Sequence, residues 1–210
     1  MKKYILLISA VAFMISSAKA QNAQERTILF GFKAGTNYSD AYEQKNLSFN
    51  TQGKFGLSAG AFLAVCIGDL VCVQPELMFS QKGFKATSKA VGNAFSFTRT
   101  TSYVDIPVLL ALKPNEFVKI LFGPQYSYLL QQKDVSDTNA LTVEQENQFK
   151  DVNTRKNIFG IVGGVDVNVQ NFVIGARLGW DVKNNSMTTA STTPQYKNAW
   201  AQATLGFKIF

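Results

Sequence analysis

The residues of this chain that could do chemistry are carboxylates and cations. They lie in segments in which apolar and polar residues alternate. Asp181 follows Arg177 by four positions, and Asp166 with Tyr103 is a second imaginable acid–base pair. General acid–base catalysis needs such groups within hydrogen-bonding reach of a substrate, and nothing in the sequence fixes either pair beside one. The charges are therefore candidates for proton transfer without a defined active site.

Histidine is absent from the chain. Its absence removes the commonest general base, the Ser–His and Cys–His nucleophile pairs, and most zinc sites. We therefore expect no enzymatic activity, no cofactor and no metal. The charged residues then need another explanation, which depends on the elements that carry them.

The cysteines, Cys66 and Cys72, flank a short turn within residues 65–73 (VCIGDLVCV). A hairpin centred on Asp69 would place them directly across from each other, and opposed residues of antiparallel strands can come within bonding distance. A compartment outside the cytoplasm permits a disulfide. Two outcomes stay open, a disulfide between Cys66 and Cys72 or two small free residues of the core.

Eight segments alternate apolar and polar residues, as strands with one apolar face do. The gaps between them are alternately long and short, at residues 40–52, 68–70, 84–95, 113–117, 131–155, 170–171 and 184–195. Outer-membrane barrels have short periplasmic turns and longer extracellular loops. The pattern predicts an all-β fold, an eight-stranded antiparallel up-and-down transmembrane β-barrel with both termini in the periplasm.

One face of these strands is charged and rich in glycine. We predict that it forms an ionic network inside the barrel, with these members: Lys33, Lys54, Glu76, Asp105, Asp166, Arg177 and Asp181. Eight strands enclose a space only wide enough for side chains, and charges enclosed there must be paired. We therefore expect a packed, non-conducting lumen and an apolar, aromatic face toward lipid. The alternative is a soluble barrel with its apolar face inside.

The first 20 residues predict a secretion signal. Lys2 and Lys3 precede an apolar run at 4–15, and Ala18 and Ala20 form a small-x-small cleavage site. The apolar run is too short to cross a bilayer as a helix. We divide the chain into a cleaved signal peptide at 1–20, a short N-terminal lead at 21–27 and one barrel domain at 28–210.

Removal of the signal peptide, with Lys2, Lys3 and Lys19, lowers the formal net charge from +7 to +4, a modest excess. The sequence has no clustered basic run with interleaved aromatics, so we expect no nucleic-acid binding. Residues 82–99 carry several cations and no acid. Lys85, Lys89 and Arg99 are therefore candidates for contact with anionic lipopolysaccharide headgroups. A solvated basic loop is the alternative.

Pro75 and Pro107 lie inside predicted strands. Proline lacks the N–H that a sheet ladder needs, and in strands it usually marks an edge or a bulge. Because a closed barrel has no edge, we predict a local bulge at each proline.

Six segments give the chain a resemblance to the PorT-like family of outer-membrane β-barrels. They are residues 31–39 (GFKAGTNYS), 74–83 (QPELMFSQKG), 103–110 (YVDIPVLL), 123–130 (GPQYSYLL), 160–167 (GIVGGVDV) and 197–210 (KNAWAQATLGFKIF). The resemblance implies an outer-membrane barrel without an assigned activity, and its name-giving member is associated with a protein secretion system. Glu76 and Asp105 match acidic positions of the second and third segments and are expected to be pairing partners inside the lumen.

These observations predict an integral outer-membrane protein with a structural or interaction role, in envelope integrity, adhesion or support of a protein secretion complex. The expected partners are outer-membrane lipid and lipopolysaccharide, the barrel-insertion machinery, and envelope or secretion-system proteins. The alternatives are a narrow channel for small solutes and a soluble secreted ligand-binding barrel.

Overall fold

The computed structural model describes residues 26–45, 50–90, 93–138, 141–147, 155–184 and 195–209. The predicted signal peptide and most of the predicted lead lie outside these ranges. The described residues form nine strands: β1 (Arg26–Lys45), β2 (Asn50–Ile67), β3 (Val71–Ala90), β4 (Asn93–Leu112), β5 (Val118–Thr138), β6 (Leu141–Asn147), β7 (Asn157–Val169), β8 (Phe172–Asp181) and β9 (Gln195–Lys208). In the same ranges, no helix is long and apolar enough to cross a membrane.

Eight of these strands close into a barrel. Every pairing between neighbours is antiparallel, β5 pairs with β7, and β9 returns to pair with β1. The short strand β6 pairs with the far end of β5, where Thr138 faces Leu141, and so extends a hairpin beyond the ring. The predicted eight-stranded antiparallel barrel is therefore confirmed.

The three short turns lie together at one end of the barrel, which we call the short-turn rim. The Lys113 N–H donates to the Leu70 carbonyl, and the Asn168 N–H donates to the Phe117 carbonyl, so neighbouring turns are bonded to each other. Arg26 pairs with Ile67 at the same rim. The start of β1 and the end of β9 therefore lie at the rim that carries the short turns.

At the opposite end, the strands continue where the sequence predicted loops. Only residues 46–49 separate β1 from β2, and only residues 91–92 separate β3 from β4. A transmembrane β-strand needs about 9–11 residues, whereas β1, β3 and β4 each have 20 residues. A large part of these strands therefore extends past the thickness of a bilayer.

Side chains alternate between an apolar outside and a polar inside. On β8, Phe172, Ile174, Leu178 and Trp180 are exposed, while Arg177 between them is buried. The same division holds around the ring, because most of the large apolar side chains of the barrel strands are exposed and most of the charged ones that alternate with them are buried. This is the orientation of a barrel whose outer surface contacts lipid.

The bulges predicted at Pro75 and Pro107 are wrong. Pairs on both sides of Pro75 keep one register between β3 and β4, and pairs on both sides of Pro107 keep one register between β4 and β5. The register shifts instead between residues 53 and 58 of β2 and beside residues 102–103 of β4. A proline removes a ladder donor, but only an inserted residue shifts the register.

Candidate functional site in the barrel lumen

Four charged side chains, which we call the central network, bind one another inside the barrel. Arg177 donates to both oxygens of Asp166, from Nη1 to Oδ1 at 2.6 Å and from Nη2 to Oδ2 at 3.0 Å. Its Nη2 also donates to Glu76 Oε1 at 3.3 Å, and Lys33 Nζ lies 2.6 Å from the same oxygen. All four residues are 3–6% exposed. Two cations balance two carboxylates, so the network is neutral.

Two glycines make room for this network on the neighbouring strands. Gly164 of β7 faces Arg177, and Gly175 of β8 faces Asp166. A Cβ at Gly164 would lie 2.8 Å from Arg177 Cδ, and one at Gly175 would lie 2.8 Å from Asp166 Oδ1. A larger residue at either position would displace the arginine or its carboxylate partner. The glycine-rich face therefore fits the long charged side chains opposite it.

A second group of charges lies on the lumen face of β3, β4 and β8. Lys82 Nζ is 3.0 Å from Asp105 Oδ2 and about 5 Å from the ring centroids of Tyr103 and Trp200. An ammonium group over an aromatic face is stabilised by the ring quadrupole. Asp181 Oδ2 accepts from Asn198 Nδ2 at 2.8 Å.

Neither of the imagined acid–base pairs forms. The Arg177 guanidinium binds Asp166 and Glu76, while the carboxylate of Asp181 is held by Asn198. Asp166 accepts hydrogen bonds from Arg177 and Gln74 instead of from a tyrosine. The carboxylates are therefore engaged in binding their neighbours.

Lys54 was predicted in the lumen network, and the structure places it elsewhere. Its ammonium group contacts Thr100 Oγ1, beside the outward-facing Lys85. Partial burial, together with the charges of Lys85 and Lys133, lowers the pKa of Lys54. The register shift between residues 53 and 58 causes the difference, because a one-residue slip moves a side chain to the other face.

Arg99 was predicted to contact anionic headgroups, and this is wrong. It is 6% exposed and forms a bidentate pair with Asp134, from Nε to Oδ1 at 2.8 Å and from Nη2 to Oδ2 at 2.7 Å. Phe97 and Tyr196 flank the guanidinium, at 5.2 and 5.8 Å from their ring centroids. Of the other two candidates, Lys85 is exposed on the outside, and the Lys89 side chain lies outside the described residues.

The cysteines form a disulfide. Cys66 and Cys72 face each other across the first short turn, with an S–S distance of 2.05 Å. Both are buried on the lumen face, in a cluster with Leu109, Leu121 and Val162. The bond joins the first two lumen-facing positions of this hairpin. Of the two outcomes that the sequence left open, the structure has the disulfide.

The lumen is filled where the two groups of charges meet. A cavity of about 10 Å³ lies between them, lined by Glu76, Asp105, Gln125, Arg177 and Trp200. A cavity of this size holds about one water molecule. The described side chains therefore leave no room for a solute larger than water at this level of the barrel.

Sequence reasoning missed Lys119, the second residue of β5. It faces the lumen and is 3% exposed. The predicted fifth strand followed the gap at 113–117, but its faces were assigned only from residue 122 onward, so Lys119 received none. Continuing the alternation of Leu121, Gly123 and Gln125 backwards would have placed Lys119 inside.

Comparison with known proteins adds to these observations. The model of a family described as "Outer membrane protein beta-barrel domain" matches residues 19–186, which include β1 to β8. No curated protein matches.

Several solved structures are similar at low identity. Ail, the attachment invasion locus protein of Yersinia pestis, is 13% identical, with 85% of this chain and 98% of that chain covered and a TM-score of 0.43. Neisserial surface protein A is 15% identical, with 86% and 97% covered and a TM-score of 0.44. The outer membrane protein OprG from Pseudomonas aeruginosa is 10% identical, with 90% and 99% covered and a TM-score of 0.44.

Proposed function

Because this chain belongs to the outer membrane protein beta-barrel domain family, we propose that it serves in the outer membrane as a non-conducting structural or interaction protein. Its role would be in envelope integrity, adhesion or support of a protein secretion complex. The soluble ligand-binding barrel is excluded, because the apolar side chains face outward and the charges face inward. We also propose that the barrel is not an enzyme, since the charges of both candidate pairs are bound to other partners.

The filled lumen carries this proposal. Arg177 spans from Asp166 on β7 to Glu76 on β3, and Lys33 joins Glu76 from β1, so the central network crosses the barrel interior. Opening a path for solutes would require breaking buried charged hydrogen bonds, which is unfavourable without a replacement partner. A narrow channel for small solutes, the alternative role, is therefore disfavoured.

Liposome swelling tests the proposal. Liposomes that contain the purified protein should swell in arabinose no faster than protein-free liposomes, because the central network blocks the lumen. The matched control is the triple variant Lys33→Ala, Glu76→Ala, Arg177→Ala, which empties this level of the lumen and should swell faster. Folding of both proteins is checked by resistance to SDS before boiling. Wild-type swelling clearly faster than that of protein-free liposomes would establish the channel instead.

We further propose that the short-turn rim faces the periplasm, so that both termini lie there and the extended strands lie outside the cell. This follows the general rule for short turns in outer-membrane barrels. Lys85 and Lys54 then lie on the outer surface of the extended strands, close above the apolar band that ends at Phe55. Anionic lipopolysaccharide headgroups would be their partner.

Replacing both lysines tests this contact. The double variant Lys54→Gln, Lys85→Gln should bind lipopolysaccharide about 30-fold more weakly, because each lysine near an anionic lipid surface contributes about 1 kcal/mol. The control variant Lys54→Arg, Lys85→Arg keeps both positive charges and should bind lipopolysaccharide like the wild type. Equal affinities for both double variants would contradict the assignment.

Membership of the PorT-like subgroup remains a proposal, supported by Glu76 and Asp105. Both match acidic positions of that family's segments, and both are buried ion-pair partners in the lumen. A role beside a secretion complex would follow from this membership. Photo-crosslinking in intact cells from Thr98, on the extended part of β4, would identify the protein partner. Crosslinks to lipid alone would count against a protein partner at this surface.

A further inference from the structure

Lys119 is a buried cation without a bonded partner. Within the part of the chain that the structure describes, no hydrogen bond or ion pair reaches its ammonium group. Asp166 pairs with it across β5 and β7 and attracts it, but both oxygens of that carboxylate are bonded to Arg177. A buried charge that lacks a partner is unfavourable unless another group compensates it.

Two further lysines face the same space at the short-turn rim. Lys113 follows β4 and Lys208 ends β9, and each is two residues beyond a buried lumen-facing position, Ala111 and Gly206. Both are half-buried, and both repel Lys119 through space. Lys113 also repels Lys208. We call Lys113, Lys119 and Lys208 the three-lysine cluster.

The nearby acids do not neutralise this cluster. Asp69 and Glu116 lie in the neighbouring turns, where both are exposed, and in the described ranges neither forms an ion pair with a lysine of the cluster. Three positive charges, from β5, β9 and the turn after β4, therefore share the mouth of the lumen. Their mutual repulsion is relieved most directly by a bound anion.

Asn168 adds a neutral polar group at the same rim. It is buried on β7, two residues after Asp166 on the lumen face. Among the described residues its Oδ1 has no hydrogen-bond partner, and its Nδ2 donates to the Phe117 carbonyl at 3.5 Å. The Nδ2 group carries two N–H donors and uses one of them for this carbonyl, so the second can serve a ligand at the rim. An anion there would gain a neutral donor in addition to the ammonium groups.

We propose that the three-lysine cluster binds one phosphate-type oxyanion in the lumen mouth at the short-turn rim. Ammonium groups bind phosphate as point charges without a fixed geometry, so three lysines from different parts of the rim can share one tetrahedral anion. Lys119 supplies the buried contact, and the half-exposed Lys113 and Lys208 leave the mouth open for entry. The anion is either free phosphate or the phosphate of a lipid headgroup. Binding at this rim is independent of whether the lumen conducts.

Equilibrium dialysis with labelled inorganic phosphate, on the folded full-length protein in non-ionic detergent, tests the site. We expect one phosphate per wild-type barrel and an affinity about tenfold or more lower for Lys119→Met, which loses a charged hydrogen bond. Lys183→Met, a matched change of an exposed lysine at the opposite end of the barrel, should bind like the wild type. Phosphate binding that is absent from the wild type, or unchanged in Lys119→Met, would overturn the proposal.

A second variant keeps the proposal testable if Lys119→Met does not fold. Lys208→Gln changes a half-exposed side chain, and it should still weaken phosphate binding severalfold; an unchanged affinity would overturn the proposal.

A competition experiment distinguishes the two sources of the anion, free phosphate and the phosphate of a lipid headgroup. Displacement of bound phosphate by short-chain phosphatidylglycerol, and not by phosphatidylcholine, would support the site as one for a lipid headgroup, whereas retention of phosphate would support it as one for the free anion.

Discussion

Replacing Arg177 by methionine should lower the free energy of unfolding of the barrel by about 3–5 kcal/mol, the usual result of removing one partner from a buried ion pair. Arg177 is 3% exposed and binds both Asp166 and Glu76. Without it, Lys33 is the remaining cation of the central network, and Asp166 loses both of its short hydrogen bonds. Urea unfolding in lipid vesicles measures the difference.

The double variant Arg177→Met, Asp166→Asn separates charge from packing. It leaves Lys33 and Glu76 as a balanced pair at 2.6 Å, so much of the lost stability should return. The matched control is Arg155→Met, since the half-buried Arg155 donates one hydrogen bond to a described residue, from Nε to the Asn184 carbonyl. It should change the free energy of unfolding by about 1 kcal/mol or less. A double variant no more stable than Arg177→Met would contradict the role of charge balance.

The sequence predicts the fold and most of the lumen because a strand has a period of two residues. Once Phe172, Ile174 and Leu178 are assigned to the outside, Arg177 must lie inside. The same reasoning places Lys33 and Glu76 correctly. It gives the face of each side chain, but not its partner, because the pairing register between distant strands depends on turns and on shear. For this reason Asp181 was considered beside Arg177, whereas Asp166 and Glu76 bind it.

The two misplaced cations show where a face assignment fails. Lys54 lies within a register shift, and a single inserted residue reverses the face of the residues after it. Arg99 lies in the flank of the gap predicted at residues 84–95, where no alternation was applied, although β4 continues through it. Lys119 lies within the predicted fifth strand, but faces were assigned there only from residue 122 onward. In these two segments the alternation could be read from the sequence and was not followed far enough, whereas the register shift beside Lys54 could not be read from it.

Replacing Leu178 by arginine should lower the free energy of unfolding in lipid by about 2–4 kcal/mol, the expected cost of arginine at the middle of a lipid-facing barrel surface. Leu178 faces outward, 53% exposed, near the middle of the apolar band that β8 contributes between Phe172 and Val182. Its cross-strand neighbours Gly163 and Ala201 are small and offer no carboxylate to an arginine. Refolding into lipid vesicles at increasing urea concentrations measures the change.

Val182→Arg is the control that isolates membrane depth. Val182 directly follows β8 on the same outer face and is 54% exposed, against 53% for Leu178, but it lies at the end of the apolar band. Arginine there can reach the interface, so the free energy of unfolding should fall by about 0–1 kcal/mol. The two side chains are equally exposed, so a difference in unfolding free energy between Leu178→Arg and Val182→Arg must come from their depth in the membrane. Equal effects at Leu178 and Val182 would mean that this face does not contact the hydrocarbon core, and the outward assignment of the apolar band would fail.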